Sequence, residues 1–278
     1  MSPRPRKRFG QHWLKSEKVL HRILAAAEVS KRDRILEIGP GTGVLTRWLT
    51  ALAEAVVAVE IDRDLCQRLR SQFEKVDQFL LLEGDILQLD LADELAGQPD
   101  FYPLNKVVAN IPYYITAPIL EKLLGSLTQP RPQPFDQIVL LIQREVADRL
   151  YAQPGSKVFG ALSVRVQYLA CCELICLVPA KAFQPPPKVE SAVVRLRPRP
   201  FLPRAENLQL FDQLVQLGFS SRRKMLRNNL KPVIERDQLT PLLAALEVTP
   251  TARAEELSVE QWVRLSNKIQ EIHASRCD

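Results

Sequence analysis

Between Arg34 and Gln143 the chain alternates short apolar runs with stretches of helical spacing. The runs are RILEI, AVVAVE, FLLLEG, KVVAN and QIVLLIQ, and helices are expected to begin near Val44, Arg63 and Ala117. Strands that are apolar on both faces must be covered on both faces, and strands joined through helices run parallel. The pattern therefore predicts an α/β fold, a parallel sheet with helices on both sides. Two more strands, CCELICLV and SAVVRLRP, follow a helical stretch near residues 161–168. PAKAFQPPPKVE separates them; it is too long for a tight hairpin and is stiffened by Pro185, Pro186 and Pro187. A loop of that kind carries function more often than it merely connects.

The alternation ends at RPRPFLPR, residues 197–204, where the prolines exclude both helix and central strand. A domain boundary is expected there, giving domains at 1–200 and 201–278. Beyond it ENLQLFDQLVQLGF, SSRRKMLRNNL, LTPLLAALEV and SVEQWVRLSNKIQEI all read as helices, so the second domain is small and all-helical. The last opens on Ser258 with Gln261 three residues on, the pattern of a capping box. Trp262, Leu265, Ile269 and Ile272 then form a core-facing stripe.

A chain of 278 residues suits one large domain with an appendage. No apolar run approaches the roughly 18 residues of a membrane span, and MSPRPRKRFGQHWL lacks the apolar core of a signal peptide, which places the chain in the cytoplasm away from membranes. Cys171, Cys172 and Cys176 lie in an apolar run, no C-x-x-C pair occurs, and the histidines lack zinc-ligand spacing, so buried thiols and no metal site are expected. The net charge of +6 is unevenly spread. Residues 1–15 carry +5 and residues 220–236 another +5, leaving the remainder at −4. Basicity gathered at two places on an acidic body points to a polyanionic partner.

The chemistry concentrates at strand ends. EIGPGTG follows the first strand and opens a helix, so Gly39, Gly41 and Gly43 allow a sharp turn and close approach of a ligand. Glu60 ends the second strand, where a carboxylate can accept from ribose hydroxyls, and Asp85 follows the third, in reach of an adenine amine. That set fits a nicotinamide dinucleotide or S-adenosylmethionine. NIPYY at the end of the fourth strand separates them, because hydride transfer has no evident use for Asn110 there. Methylation of an aromatic amine does: Asn110 and the Ile111 carbonyl can accept its N–H groups, Pro112 fixes that carbonyl, and Tyr113 offers a stacking face for a flipped base. No covalent enzyme intermediate and no strong base are needed, so positioning carries most of the rate.

FGQHWL, EIGPGTG, VEID, GDIL, NIPYY, VPAKAFQPPPKVES and FSSRRKMLRNNL occur in this order across nearly the whole chain. Together they resemble the KsgA-type ribosomal RNA adenine dimethyltransferases. The resemblance implies a class I methyltransferase sheet of seven strands and S-adenosylmethionine as cofactor. It also implies dimethylation of two adjacent adenosines near the 3′ end of small-subunit rRNA in an assembling particle, by a monomer. Residue by residue it implies cofactor contacts at His12, Leu14, Gly39, Glu60, Asp85 and Asn110, and stacking of Phe183 on the base opposite Tyr113. The family commonly carries Asn and Phe where this chain has His12 and Trp13. Arg222, Arg223, Lys224 and Arg227, read as a basic helix, are expected to hold RNA phosphates. The related large-subunit resistance methyltransferases and non-catalytic factors on the same fold are the competing readings; the Phe183 loop and the intact pocket motifs disfavour them.

Overall fold

The computed structural model describes residues 5–6 and 9–275. Two compact units account for the chain: one takes 1–123, 132–147 and 172–198, the other 124–131, 148–171 and 199–278. The second is therefore discontinuous, including segments that the sequence reading assigned to the first domain.

The first unit is built on a mixed sheet of seven strands. These are β1 (Arg34–Ile38), β2 (Ala55–Glu60), β3 (Phe79–Glu83), β4 (Lys106–Asn110), β5 (Gln137–Gln143), β6 (Ala170–Val178) and β7 (Ser191–Pro198), in the order β3-β2-β1-β4-β5-β7-β6. β1 pairs in parallel with β2 on one side and β4 on the other, so the chain reverses its direction of winding between β1 and β4. Ligands bind at such a switch point, beyond the carboxyl ends of the strands. β7 enters antiparallel against β5, with Ser191 opposite Gln143. Every residue of β2 is buried, as expected of a strand covered on both faces. β6 lies at a sheet edge, and there the expectation of buried thiols fails for Cys171, which is exposed; Cys176 is buried and Cys172 half-buried.

Helix α1 (Glu17–Ala27) precedes β1, and α2 (Val44–Leu52), α3 (Arg63–Gln72) and α4 (Thr116–Leu124) lie in connections between strands. Asp62 caps α3 by accepting from the Asp64 N–H at 3.1 Å, which fixes where the chain turns after Glu60. A separate two-stranded ribbon pairs Trp13–Leu14 with Phe183–Gln184 in antiparallel register.

The second unit packs α5 (Ala161–Leu169), α6 (Leu208–Gly218), α7 (Arg236–Ala245) and α8 (Val259–Ala274) around one apolar core. The expected capping box is present: Gln261 N–H donates to Ser258 Oγ at 3.1 Å, and Ser258 N–H donates to Gln261 Oε1 at 2.9 Å. Trp262 is fully buried, and α6 ends in a glycine because a Cβ at Gly218 would lie 2.3 Å from its ring.

The basic segment after α6 is not the helix that its spacing suggested. Ser221–Met225 is a turn, and only Leu226–Asn229 is helical. Asn229 explains it. Its buried Nδ2 donates to the carbonyls of Gly218 and Ser221, at 2.6 and 3.0 Å, and so stabilises the chain in a folded-back course. Among the described residues, no helix is long and apolar enough to cross a membrane.

Candidate active site

Four strand ends converge on one pocket. β1 supplies Gly39 and Gly41, β2 Glu60, β3 Gly84 and Asp85, and β4 Asn110, followed by Ile111, Pro112 and Tyr113. Gly41 adopts φ +59, and a Cβ there would sit 3.0 Å from the Trp13 ring, so only glycine keeps both the turn and the indole in place.

Glu60 is 5% exposed and organises this end of the sheet. One carboxylate oxygen accepts from Gly41 N–H at 3.1 Å, the other from Ile61 and Asp62 N–H, each at 3.0 Å. Burial pushes its pKa up, and the three N–H donors act in the opposite direction. A carboxylate has about four acceptor sites, so these bonds leave room for about one further donor. Asp85 accepts from Leu87 N–H at 2.9 Å through Oδ1; its Oδ2 has no partner among the described residues.

Asn110 is oriented by a contact the sequence does not announce. Its Nδ2 donates to the His12 carbonyl at 3.0 Å. A carbonyl only accepts, so the amide nitrogen must face it, and Oδ1 is left as an acceptor beside the pocket. His12 is itself held: Nδ1 lies 2.8 Å from the Pro185 carbonyl and must carry the proton, and the ring stacks on Tyr113 at 5.9 Å between centroids. The Tyr113 hydroxyl hydrogen-bonds Ser191 Oγ at 2.5 Å. Burial raises the phenol's pKa against a smaller lowering by that bond, so Tyr113 stays neutral at ordinary pH. It offers a ring face, not a base.

The N-terminal segment closes one wall. Arg6 pairs with Asp62 at 2.8 Å and also with Asp64, and Gln11 Nε2 donates to Asp62 at 2.9 Å. Part of the N-terminal charge is thus neutralised within the chain. Leu14 does not line the main pocket; it lines a smaller recess behind the glycine loop, with Trp13, Glu37 and Asn110. Sequence reasoning missed this recess. Trp13 Nε1 and Glu37 Oε2 are buried without partners among the described residues. Burial, aided by the charge of Glu60 and opposed by Thr46, raises the Glu37 carboxyl from 4.5 to about 8. Unpaired polar atoms beside a glycine turn, with an acceptor on each neighbouring strand, fit a polar adenosine-containing cofactor.

Phe183 departs from its expected place. It is fully buried, opposite Leu14 in the ribbon, and packs in the core with Leu14, Val178 and Ala182. Alternation along the two-residue strand explains this: Gln184 faces out, so Phe183 faces in. As it stands, the ring offers no face to a base.

In the second unit, Arg222, Arg223 and Lys224 are exposed on the turn, and Arg227 is half-buried on the short helix. Arg222 is committed in part, donating to the carbonyls of Lys157 and Phe159 at 2.9 and 2.8 Å.

Known proteins resemble this chain in sequence and in fold. The ribosomal RNA small subunit methyltransferase A of Nostoc punctiforme is 62% identical over 272 residues, covering 96% of this chain and 95% of its own. That of Rippkaea orientalis is 59% identical over 270 residues, covering 97% and 99%. Among solved structures, a dimethyladenosine transferase from Plasmodium falciparum superposes with a TM-score of 0.75 at 26% identity, over 94% of this chain and 98% of that one. The 23S rRNA methyltransferase ErmE gives 0.74 at 27%, over 93% and 99%. The fold is thus shared with a 23S rRNA methyltransferase, whereas both sequence relatives are named as small-subunit enzymes. With the profile of the ribosomal RNA adenine dimethylases matching residues 3–271, this chain belongs to that family.

Proposed function

We propose that this chain is the S-adenosylmethionine-dependent enzyme that dimethylates the N6 amines of two adjacent adenosines near the 3′ end of small-subunit rRNA, in the cytoplasm, during assembly of the particle. The observation that carries the reading is the orientation of Asn110. An exocyclic adenine amine is a poor nucleophile because its lone pair is delocalised into the ring. With Nδ2 committed to the His12 carbonyl, Asn110 has its oxygen left to accept one N–H of that amine. The Ile111 carbonyl is proposed to accept the other, and Pro112, at φ −61 and ψ 135, fixes the course of the chain directly after that carbonyl. Holding the amine in this way directs its lone pair; positioning, not a strong base, carries the rate. Tyr113, stacked against His12 and tied to Ser191, supplies a neutral face for the base.

Gly39, Gly41, Glu60 and Asp85 would hold the cofactor, with His12 and Asn110 closing around it and Leu14 in the recess behind the glycine loop. When bound, it supplies a methyl group on a positively charged sulfur. Arg223, Lys224 and Arg227 are proposed to grip phosphates, and Arg222 to shape the turn that presents them.

The test is transfer of labelled methyl from S-adenosylmethionine to immature small subunits, with the products mapped. Two adjacent dimethylated adenosines near the 3′ end are expected. Label found only on large-subunit rRNA, or none at all, overturns the proposal.

A further inference from the structure

A groove in the first unit lies outside the pocket and is lined by four cations and no acid. Lys15 lies two residues before α1, Lys18 in its first turn and Arg22 at its middle; Lys181 comes from the loop after β6. All four side chains are exposed. The floor is apolar, with Val19, Cys176 and Leu177. Lys15 N–H donates to the Ala182 carbonyl at 2.9 Å, so the two walls are tied by backbone.

Helix stability does not select these residues. Lys18 and Arg22 are like charges at i,i+4, and Lys18, in the first turn, opposes the helix dipole. Glu17 is the one acid in that first turn and does not line the groove. None of the four cations has an acidic partner among the described residues. Cations placed where the fold disfavours them, above an apolar floor, suit an anion whose intervening parts are not charged. Single-stranded RNA has that character, with phosphates for the rim and sugars for the floor. No aromatic ring lines the groove, so it grips without reading bases.

We propose that this groove is a second RNA-binding surface, taking the backbone of a single-stranded rRNA segment beside the pocket. The ribbon links the two places: Lys15 follows Leu14, and Lys181 stands two residues before Phe183. The inference rests on the reading that the substrate is RNA.

The test uses the full chain with Lys18→Gln and Arg22→Gln together, and Lys181→Gln alone in case the pair disturbs α1. Affinity for deproteinised small-subunit rRNA is measured across a salt series. The double variant should bind about tenfold more weakly at low salt. Its log-affinity against log-salt slope should flatten by about 1.4 units, and that of Lys181→Gln by about 0.7. S-adenosylmethionine affinity should be unchanged in both. Unchanged slopes overturn the proposal, as does weaker binding with the parent's slope, which would reflect altered structure. Loss of binding to intact particles with unchanged binding to bare rRNA also overturns it, because the groove would then dock a protein. If the variants flatten the slope as stated but the parent transfers no methyl, the groove is supported and the catalytic reading falls.

Discussion

The pocket mouth and the basic turn are both made of loops, yet their side chains act under opposite constraints. At the pocket, Asn110, His12, Tyr113 and Glu60 are each fixed by a partner, through His12 O, Pro185 O, Ser191 Oγ and the loop N–H groups. At the turn it is the backbone that is fixed, by Asn229, while Arg223 and Lys224 remain exposed. Chemistry needs a direction for each lone pair, so its groups are oriented. Phosphate gripping needs charge at a surface, so its groups are merely presented.

Removing an oriented group should cost most. Asn110→Ala is expected to slow single-turnover methyl transfer on the order of 100-fold, with rRNA affinity within twofold of the parent. Glu60→Ala should weaken S-adenosylmethionine about 10- to 100-fold, the range of a charge-assisted hydrogen bond, read by calorimetric titration. Unchanged affinity in a folded variant would take Glu60 out of the cofactor site.

Glu37 tests whether the pocket also constrains stability. Its carboxyl titrates at 4.5 ordinarily and at about 8 when buried here, so the folded chain holds a proton that the unfolded chain releases. The associated stability is fully present below 4.5 and is lost as pH rises through about 8. Thermal unfolding should therefore show the parent losing stability from pH 5 to 9 relative to Glu37→Gln. Parallel curves for the two would refute the assignment.

The smallest effect is expected at the turn. Replacing Arg222, Arg223 and Lys224 together should flatten the salt slope of rRNA binding by about 1.4 to 1.8 units, two phosphates' worth, because Arg222 is already bonded to Lys157 and Phe159. A loss of a third phosphate's worth would show that Arg222 grips RNA as well.

The same contrast explains what was legible in the sequence. Strand ends could be read because period and length generate them. Glu60, Asp85 and Asn110 follow or end apolar runs, and in the structure they meet at the switch point. Contacts between segments far apart in sequence left no such mark. Arg6 on Asp62, Asn110 on His12 and Tyr113 on Ser191 carry no local signal. Phe183 was misplaced because a two-residue strand has no period to reveal its inward face. The basic turn was misread as a helix because residue spacing does not register Asn229 pulling the backbone round. The second unit's early segments, 124–131 and 148–171, were assigned to the first domain because they interrupt the αβ alternation without a change in composition.

The central claim is that the pocket carries the chemistry and the turn carries only grip. The most direct measurement is the single-turnover methyl-transfer rate at saturating rRNA, for Asn110→Ala beside the Arg223→Gln, Lys224→Gln double variant. The account predicts that excess rRNA restores the double variant to the parent's rate and leaves Asn110→Ala about 100-fold slow. Recovery of Asn110→Ala by excess rRNA would contradict it, because its amide would then serve binding, not transfer.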